Sequence, residues 1–140
     1  MDDPGTRRWW ALGALALSLL VVGLDLTVLN VALPTLATDL GASTSQLQWF
    51  ANAYNLVWAA ALLPAGLLGD RFGRKRLLLV ALVLFGVASA GCAYAGSAGT
   101  LIAFRTVLGL GAAFLLPLSV SVLPVLFPPQ DRPRAIAVWA

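Results

Sequence analysis

An all-α, multi-pass transmembrane bundle is the fold class this sequence predicts, and three observations carry it. Sixty per cent of the 140 residues are hydrophobic and 11% are charged, with a mean hydropathy of +0.89, far to the apolar side of soluble domains. Four stretches each supply the ~20 mostly apolar residues that a helix needs to cross a hydrocarbon core about 30 Å thick. Eight of the nine cations precede the first stretch or join alternate stretches, the pattern that orients membrane helices.

The spans are expected at Trp9 to Leu33, Gln46 to Gly69, Leu77 to Ala95 and Thr100 to Phe127, with a fifth beginning at Ala135. Pro34 closes the first, because the residue before a proline is pushed out of the helical region. Ser45 and Gln48 have the spacing of a capping box and open the second. Pro128, Pro129 and Pro133 punctuate the end of the fourth. Arg7 and Arg8 ahead of an apolar run also resemble a secretory or twin-arginine leader. No convincing small-residue cleavage site follows and three more spans do, so a retained first helix is the simpler reading.

Orientation follows from the cations. Arg7 and Arg8 precede the first span, Arg71, Arg74, Lys75 and Arg76 join the second to the third, and Arg132 and Arg134 join the fourth to the fifth. The two opposite connections, Pro34 to Ser45 and Tyr94 to Gly99, contain no Lys or Arg. The positive-inside rule therefore places the N-terminus in the cytoplasm of a plasma or inner membrane. Trp9, Trp10 and Trp49 fall near span ends, where aromatic side chains anchor at the interface.

Composition also excludes several chemistries. Glu and His are absent and the six acids are all Asp, which removes the usual material for a metal site or a His-based triad. No nucleophile with a base and no phosphate loop is present, so an enzyme is not expected. The sequence pI of about 9.8 would suit nucleic acid, but the cations sit beside apolar runs instead of along one polar surface, so no nucleic-acid partner is expected. Cys92 is single, so no internal disulfide can form.

Asp25 lies about fifteen residues into the first span, or roughly 22 Å from its cytoplasmic end at 1.5 Å per residue. An ionisable group at that depth costs on the order of 3 kcal/mol to insert, so it must face protein or water and is a functional candidate by default. It could exchange protons, or it could simply hydrogen-bond Thr27, Asn30 or a neighbouring helix. Arg105 is the other charge well inside a span, about five residues from the outer end of the fourth. An anion and a cation at similar depth would relieve each other's desolvation, either as a static pair or as a pair that loosens when Asp25 takes up a proton.

Asn52, Tyr54 and Asn55 place polar groups in the outer part of the second span, where they would line a cavity or bond across helices. With Asn30 and Gly109 they make up the candidate cavity lining. Small residues recur at spacing four in Ala61, Ala65 and Gly69, in Gly86 and Ala90, and in Gly109 and Ala113, which suits close helix packing. Pro64, Pro117 and Pro124 interrupt apolar helices as static kinks or as bends for gating.

The connection between the second and third spans reads Gly66-Leu67-Leu68-Gly69-Asp70-Arg71-Phe72-Gly73-Arg74-Lys75-Arg76-Leu77. Gly69 and Gly73 permit a tight turn. Asp70 sits at a helix C-terminus, the wrong end of the dipole for an anion, so it needs Arg74 or the N-terminal end of another helix as partner. This segment resembles the signature cytoplasmic loop of the major facilitator superfamily. The run from Leu24 to Pro34, LDLTVLNVALP, resembles the first-helix motif of its fourteen-helix drug/proton antiporters, and Leu101 to Ala113, LIAFRTVLGLGAA, resembles their fourth-helix motif, with Leu108 where relatives often carry Gln.

The resemblance implies a proton-coupled exporter of small hydrophobic or cationic compounds that uses the proton gradient and no cofactor. Asp25 and Arg105 would couple protons to transport. Gly66, Gly69, Asp70, Arg71, Gly73, Arg74 and Lys75 would form a loop that latches the outward-facing state against the other half of the transporter. Such carriers rock two six-helix bundles. Residues 1–140 are therefore expected to be a partial N-terminal domain that works with a C-terminal half or as an oligomer in the bilayer. The alternative is a small membrane protein that binds or regulates a full-length carrier.

Overall fold

The computed structural model describes residues 4–140 as five helices, α1 (Pro4–Asp39), α2 (Thr44–Phe72), α3 (Arg74–Ala93), α4 (Ala98–Leu126) and α5 (Arg132–Trp139), with no strand among them. The first four are long and apolar enough to cross a membrane, and the chain is an all-α, multi-pass membrane fold.

Most helices start earlier or end later than hydropathy alone suggests, because their last turns project past the apolar window. The largest departure is at Pro34, which lies inside α1 and does not close it. The turns beyond it still carry a useful apolar face. Leu33, Leu36 and Leu40 pack with Leu29 against Phe50 and Leu101, and that burial outweighs one lost backbone bond. The stop comes at Gly41, whose φ of 59° reverses the chain while the Ala42 N–H donates back to the Ala37 carbonyl at 3.2 Å, closing the helix as a left-handed glycine cap does.

The cap of α2 is also two residues earlier than expected. Ser43, not Ser45, accepts from the Gln46 N–H at 3.3 Å, and Gln46 Oε1 accepts from the Ser43 N–H at 3.0 Å. Both serines fit the spacing rule, and the short turn after Gly41 selects the first. At the other end of α2, Gly73 takes φ 96° and lets the chain turn straight into α3.

Helix α4 is the centre of the bundle. Half of its most apolar window is buried, against about a fifth or less for each of the other three, and it packs most extensively on α2 and α3. Glycine makes these approaches possible. A Cβ on Gly109 would stand 2.5 Å from the Tyr54 carbonyl oxygen and 3.0 Å from its Cα. On Gly91 it would run into the Phe104 ring, and on Gly69 into the Leu118 side chain. The small-residue stripes expected on α2 and α4 are thus at contacts, with Ala65, Gly69, Gly109 and Ala113 buried. The expected pair on α3 is not, for Gly86 and Ala90 are exposed. Its packing face is Ala81, Phe85 and Ala88, set on Leu108, Ala112 and Leu115.

Helix α1 is held differently. It meets α4 and α2 over small areas, through Leu12 against Leu123 and Phe127 at one end, Leu15 and Val22 in the central cluster around Leu108 and Leu115, and Leu29 against Phe50 at the other. Trp9, exposed near the start of α1, also packs edge-on against Phe127, with ring centroids 5.2 Å apart. Helix α5 lies beside α1 and α4, with Ala135 buried and Trp139 Nε1 donating to Ser119 Oγ at 3.1 Å.

Two outcomes test this packing. Gly109→Ala should lower stability by about 1–3 kcal/mol, the usual range for overpacking against atoms that cannot yield, whereas Gly86→Ala should cost nothing, as followed by denaturation in mixed micelles. Ser43→Ala should cost about 1 kcal/mol as the loss of an N-cap, and Ser45→Ala less than about 0.5 kcal/mol; the reverse order would restore Ser45 as the cap.

Candidate functional site

The site begins with Arg105, about two turns into α4, on the side that faces α2 and α1. Its side chain is 3% exposed, so every group around it counts. Nη1 donates to Asp25 Oδ2 on α1 at 2.5 Å, and Nε donates to the Phe50 carbonyl on α2 at 2.9 Å. The guanidinium carbon lies 4.6 Å from the centroid of the Tyr54 ring, also on α2. Nη2 is buried and has no acceptor. A guanidinium away from water is stable only with such compensation, and here three separate groups from two helices provide it.

The local register explains how they converge. Phe50 and Tyr54 are one turn apart on α2, as Arg105 and Gly109 are on α4, and residues at spacing four share a helix face. Gly109 carries no Cβ against the Tyr54 backbone, so the two helices close there and bring the Phe50 carbonyl and the Tyr54 ring within reach of Arg105. Gly109 therefore sits at a helix contact, against the Tyr54 backbone.

The two charges differ in access. The Asp25 side chain keeps 19% of its surface open, several times the share of the Arg105 side chain, so the anion is the less enclosed member of the pair. Asp25 does not turn to Thr27 or Asn30, which are both exposed, as are Asn52 and Asn55. Of the expected cavity residues, only Tyr54 reaches the charge pair, and it does so with its ring face. Two grooves flank the bundle, one of about 750 Å³ between α1, α3 and α4 beside Arg7, Arg8, Arg74 and Lys75, the other of about 620 Å³ between α1 and α5. Neither is lined by Asp25 or Arg105.

A second polar cluster sits where α2 meets α3, at the opposite end of α4. Arg74 donates from Nε and Nη2 to Asp70 Oδ1 at 3.1 and 2.8 Å and from Nη1 to the Ser121 carbonyl on α4 at 2.9 Å. Of the two partners open to Asp70, the structure uses Arg74. The same guanidinium satisfies a carbonyl near the C-terminal end of α4, where a cation is favoured. Gly66 faces open space, Gly69 is buried against Leu118, and Asp70, Arg71, Arg74 and Lys75 are exposed. Arg132 reaches the same helix end from α5, donating to the Pro124 and Phe127 carbonyls at 3.1 and 3.3 Å. The cationic segments thus gather at one end of the bundle, and the Asp25–Arg105 pair lies towards the other.

Sequence reasoning brought Asp25 and Arg105 to similar depth but missed two of the groups that hold them. The Phe50 carbonyl carries no sequence signal. Tyr54 carried one, in that an aromatic residue on α2 recurs at spacing four from Phe50, but its hydroxyl drew the attention that belonged to its ring.

Residues 15–140 match the family model of the Major Facilitator Superfamily. The chain is 43% identical over 135 residues to the methyl viologen resistance protein SmvA of Salmonella typhimurium, covering 96% of this chain and 27% of that protein. It is 44% identical over 136 residues to the multidrug efflux pump LfrA of Mycolicibacterium smegmatis, covering 96% and 27%, and 42% identical over 127 residues to the multidrug export protein EmrB of Haemophilus influenzae, covering 91% and 25%. The chain thus spans about a quarter of the length of the curated relatives it matches. With four apolar spans in place and nine-tenths of its length matched by one family model, the chain belongs to the major facilitator superfamily.

Proposed function

We propose that this chain forms the proton-coupling part of an exporter of small hydrophobic or cationic compounds, driven by proton antiport. The single observation that carries the reading is the Asp25–Arg105 pair. It joins α1 to α4 inside apolar helices, with the anion partly open and the cation enclosed. The similarity to proteins of drug resistance and efflux supports the direction of transport and the substrate class.

In this reading Asp25 alternates between two partners. Ionised, it is held by Arg105. When it takes up a proton its charge vanishes, the attraction across α1 and α4 falls, and the helices are free to rearrange. A cationic substrate competes with Arg105 for the carboxylate and produces the reciprocal effect, so proton and substrate occupy the site in turn. The cluster of Asp70, Arg74 and Ser121 acts at the far end as the latch for the outward-facing state, with Gly73 shaping the turn, Gly66 and Gly69 lying within the last turns of α2, and Arg71 and Lys75 holding the loop at the cytoplasmic surface. That surface is the inner face of a plasma or inner membrane and carries the N-terminus. Rocking requires a second bundle, either the C-terminal half of a longer protein or further copies of this one.

Asp25→Asn should abolish efflux driven by a pH gradient in proteoliposomes and reduce substrate-evoked proton movement to that of empty vesicles. Full proton flux in that variant would remove Asp25 from the mechanism. Arg74→Ala breaks an exposed pair of the kind worth about 0–1 kcal/mol, so stability should barely move while the efflux rate falls severalfold; an unchanged rate would dispose of the latch.

A further inference from the structure

Proton uptake by Asp25 raises a problem that the pair alone does not solve. A guanidinium as enclosed as that of Arg105 loses its one anionic partner when Asp25 becomes neutral, and a buried cation left in that state is strongly unfavourable. It would either drag the surrounding helices towards water or suppress protonation altogether. The two remaining contacts of Arg105 are both on α2, the Phe50 carbonyl at Nε and the Tyr54 ring face. Neither depends on a proton at Asp25.

We infer that Tyr54 is a positioning residue whose ring face keeps Arg105 docked on α2 while Asp25 is neutral, so that proton uptake releases α1 alone. This rests on Asp25 as the proton site and adds which helix moves. Three observations support it. The Tyr54 ring is buried at 2% exposure, where a cation over an aromatic face is worth most. The α2–α4 contact is broad and locked at backbone level through Gly109 and Tyr54. The α1 contacts are small, and among the described residues Asp25–Arg105 is the one hydrogen bond from α1 to another helix. Neutral Asp25 therefore leaves α2, α3 and α4 bonded to one another and α1 held by apolar contact only. Among the described residues, the other ionisable groups near the pair are Tyr54 from α2 and Cys92 from α3; neither carries a formal charge that could replace the lost carboxylate.

The test reads the hydrogen exchange of the Arg105 Nε–H by nitrogen-15 arginine spectroscopy on the protein at its natural length in nanodiscs. In Asp25→Asn, which mimics the neutral acid, that proton should stay protected. Adding Tyr54→Leu should speed its exchange about tenfold, the scale of a desolvated cation–π contact, and adding Tyr54→Phe should not. Should the leucine variant fail to fold, trifluorophenylalanine at position 54 keeps the ring's shape and removes most of its charge asymmetry, and it should speed exchange in the same direction. Protection lost in Asp25→Asn alone, or retained with leucine or the fluorinated ring, overturns the inference. Exchange needs no transport, so a carrier whose coupling ignores Asp25 would sink the proton-site reading and leave this result standing. In the efflux assay the Tyr54→Leu protein should show a shifted pH profile, and the Tyr54→Phe protein an unshifted one.

Discussion

A charge placed among apolar helices has to be answered by other groups in the protein, and that constraint organises this chain. Arg105 cannot be hydrated where it sits, so a carboxylate, a carbonyl and an aromatic face are gathered around it from two neighbouring helices. Each of these imposes a demand further out. The carbonyl and the ring require α2 to approach α4 closely, which requires Gly109. The carboxylate requires α1 to cross α4 at a fixed height, and the apolar contacts above and below set that height through Leu29 and Leu12. Interactions of this kind stabilise little in net terms, since desolvation offsets most of the attraction. Their effect is to select one arrangement of helices among many that bury similar area.

The bundle is correspondingly uneven. Helices α2, α3 and α4 form a unit held by interlocking side chains and by glycines at close approaches, and α1 is attached to it by a charge and by modest apolar contact. Such a division suits a protein that must move. Under the proposed mechanism most of the apolar burial would stay constant, while the link that changes would be the one between Asp25 and Arg105.

Much of the fold was legible in the sequence because the bilayer allows few solutions. Twenty apolar residues in a row have to be a helix, and cations at alternate connections have to share a side, so span number, order and grouping followed directly. What escaped was decided by local competition. Pro34 and the choice between Ser43 and Ser45 turned on which alternative packing rewarded, and hydropathy is blind to that. Gly86 and Ala90 had the right spacing for a contact, but α3 presents Ala81, Phe85 and Ala88 to α4 instead; spacing defines a stripe without saying which stripe is used. At the site, ionisable side chains announce themselves by their rarity, so Asp25 and Arg105 were found. The Phe50 carbonyl could not be, because every residue has one, and the Asp70 partner stayed open between two physically sound choices until geometry selected Arg74.

Helix α4 ties both polar clusters to one rod. From Arg105 to Ser121 is roughly 24 Å at 1.5 Å per residue, with Pro117 between them. Proline lacks the N–H that would stiffen that turn, so the rod is compliant to bending at that point and firm along its length. A tilt begun at the charged end would be largely absorbed at the proline. A slide along the axis would arrive undiminished at the carbonyl that Arg74 grips, so piston motion of α4 would load that bond more than sway would.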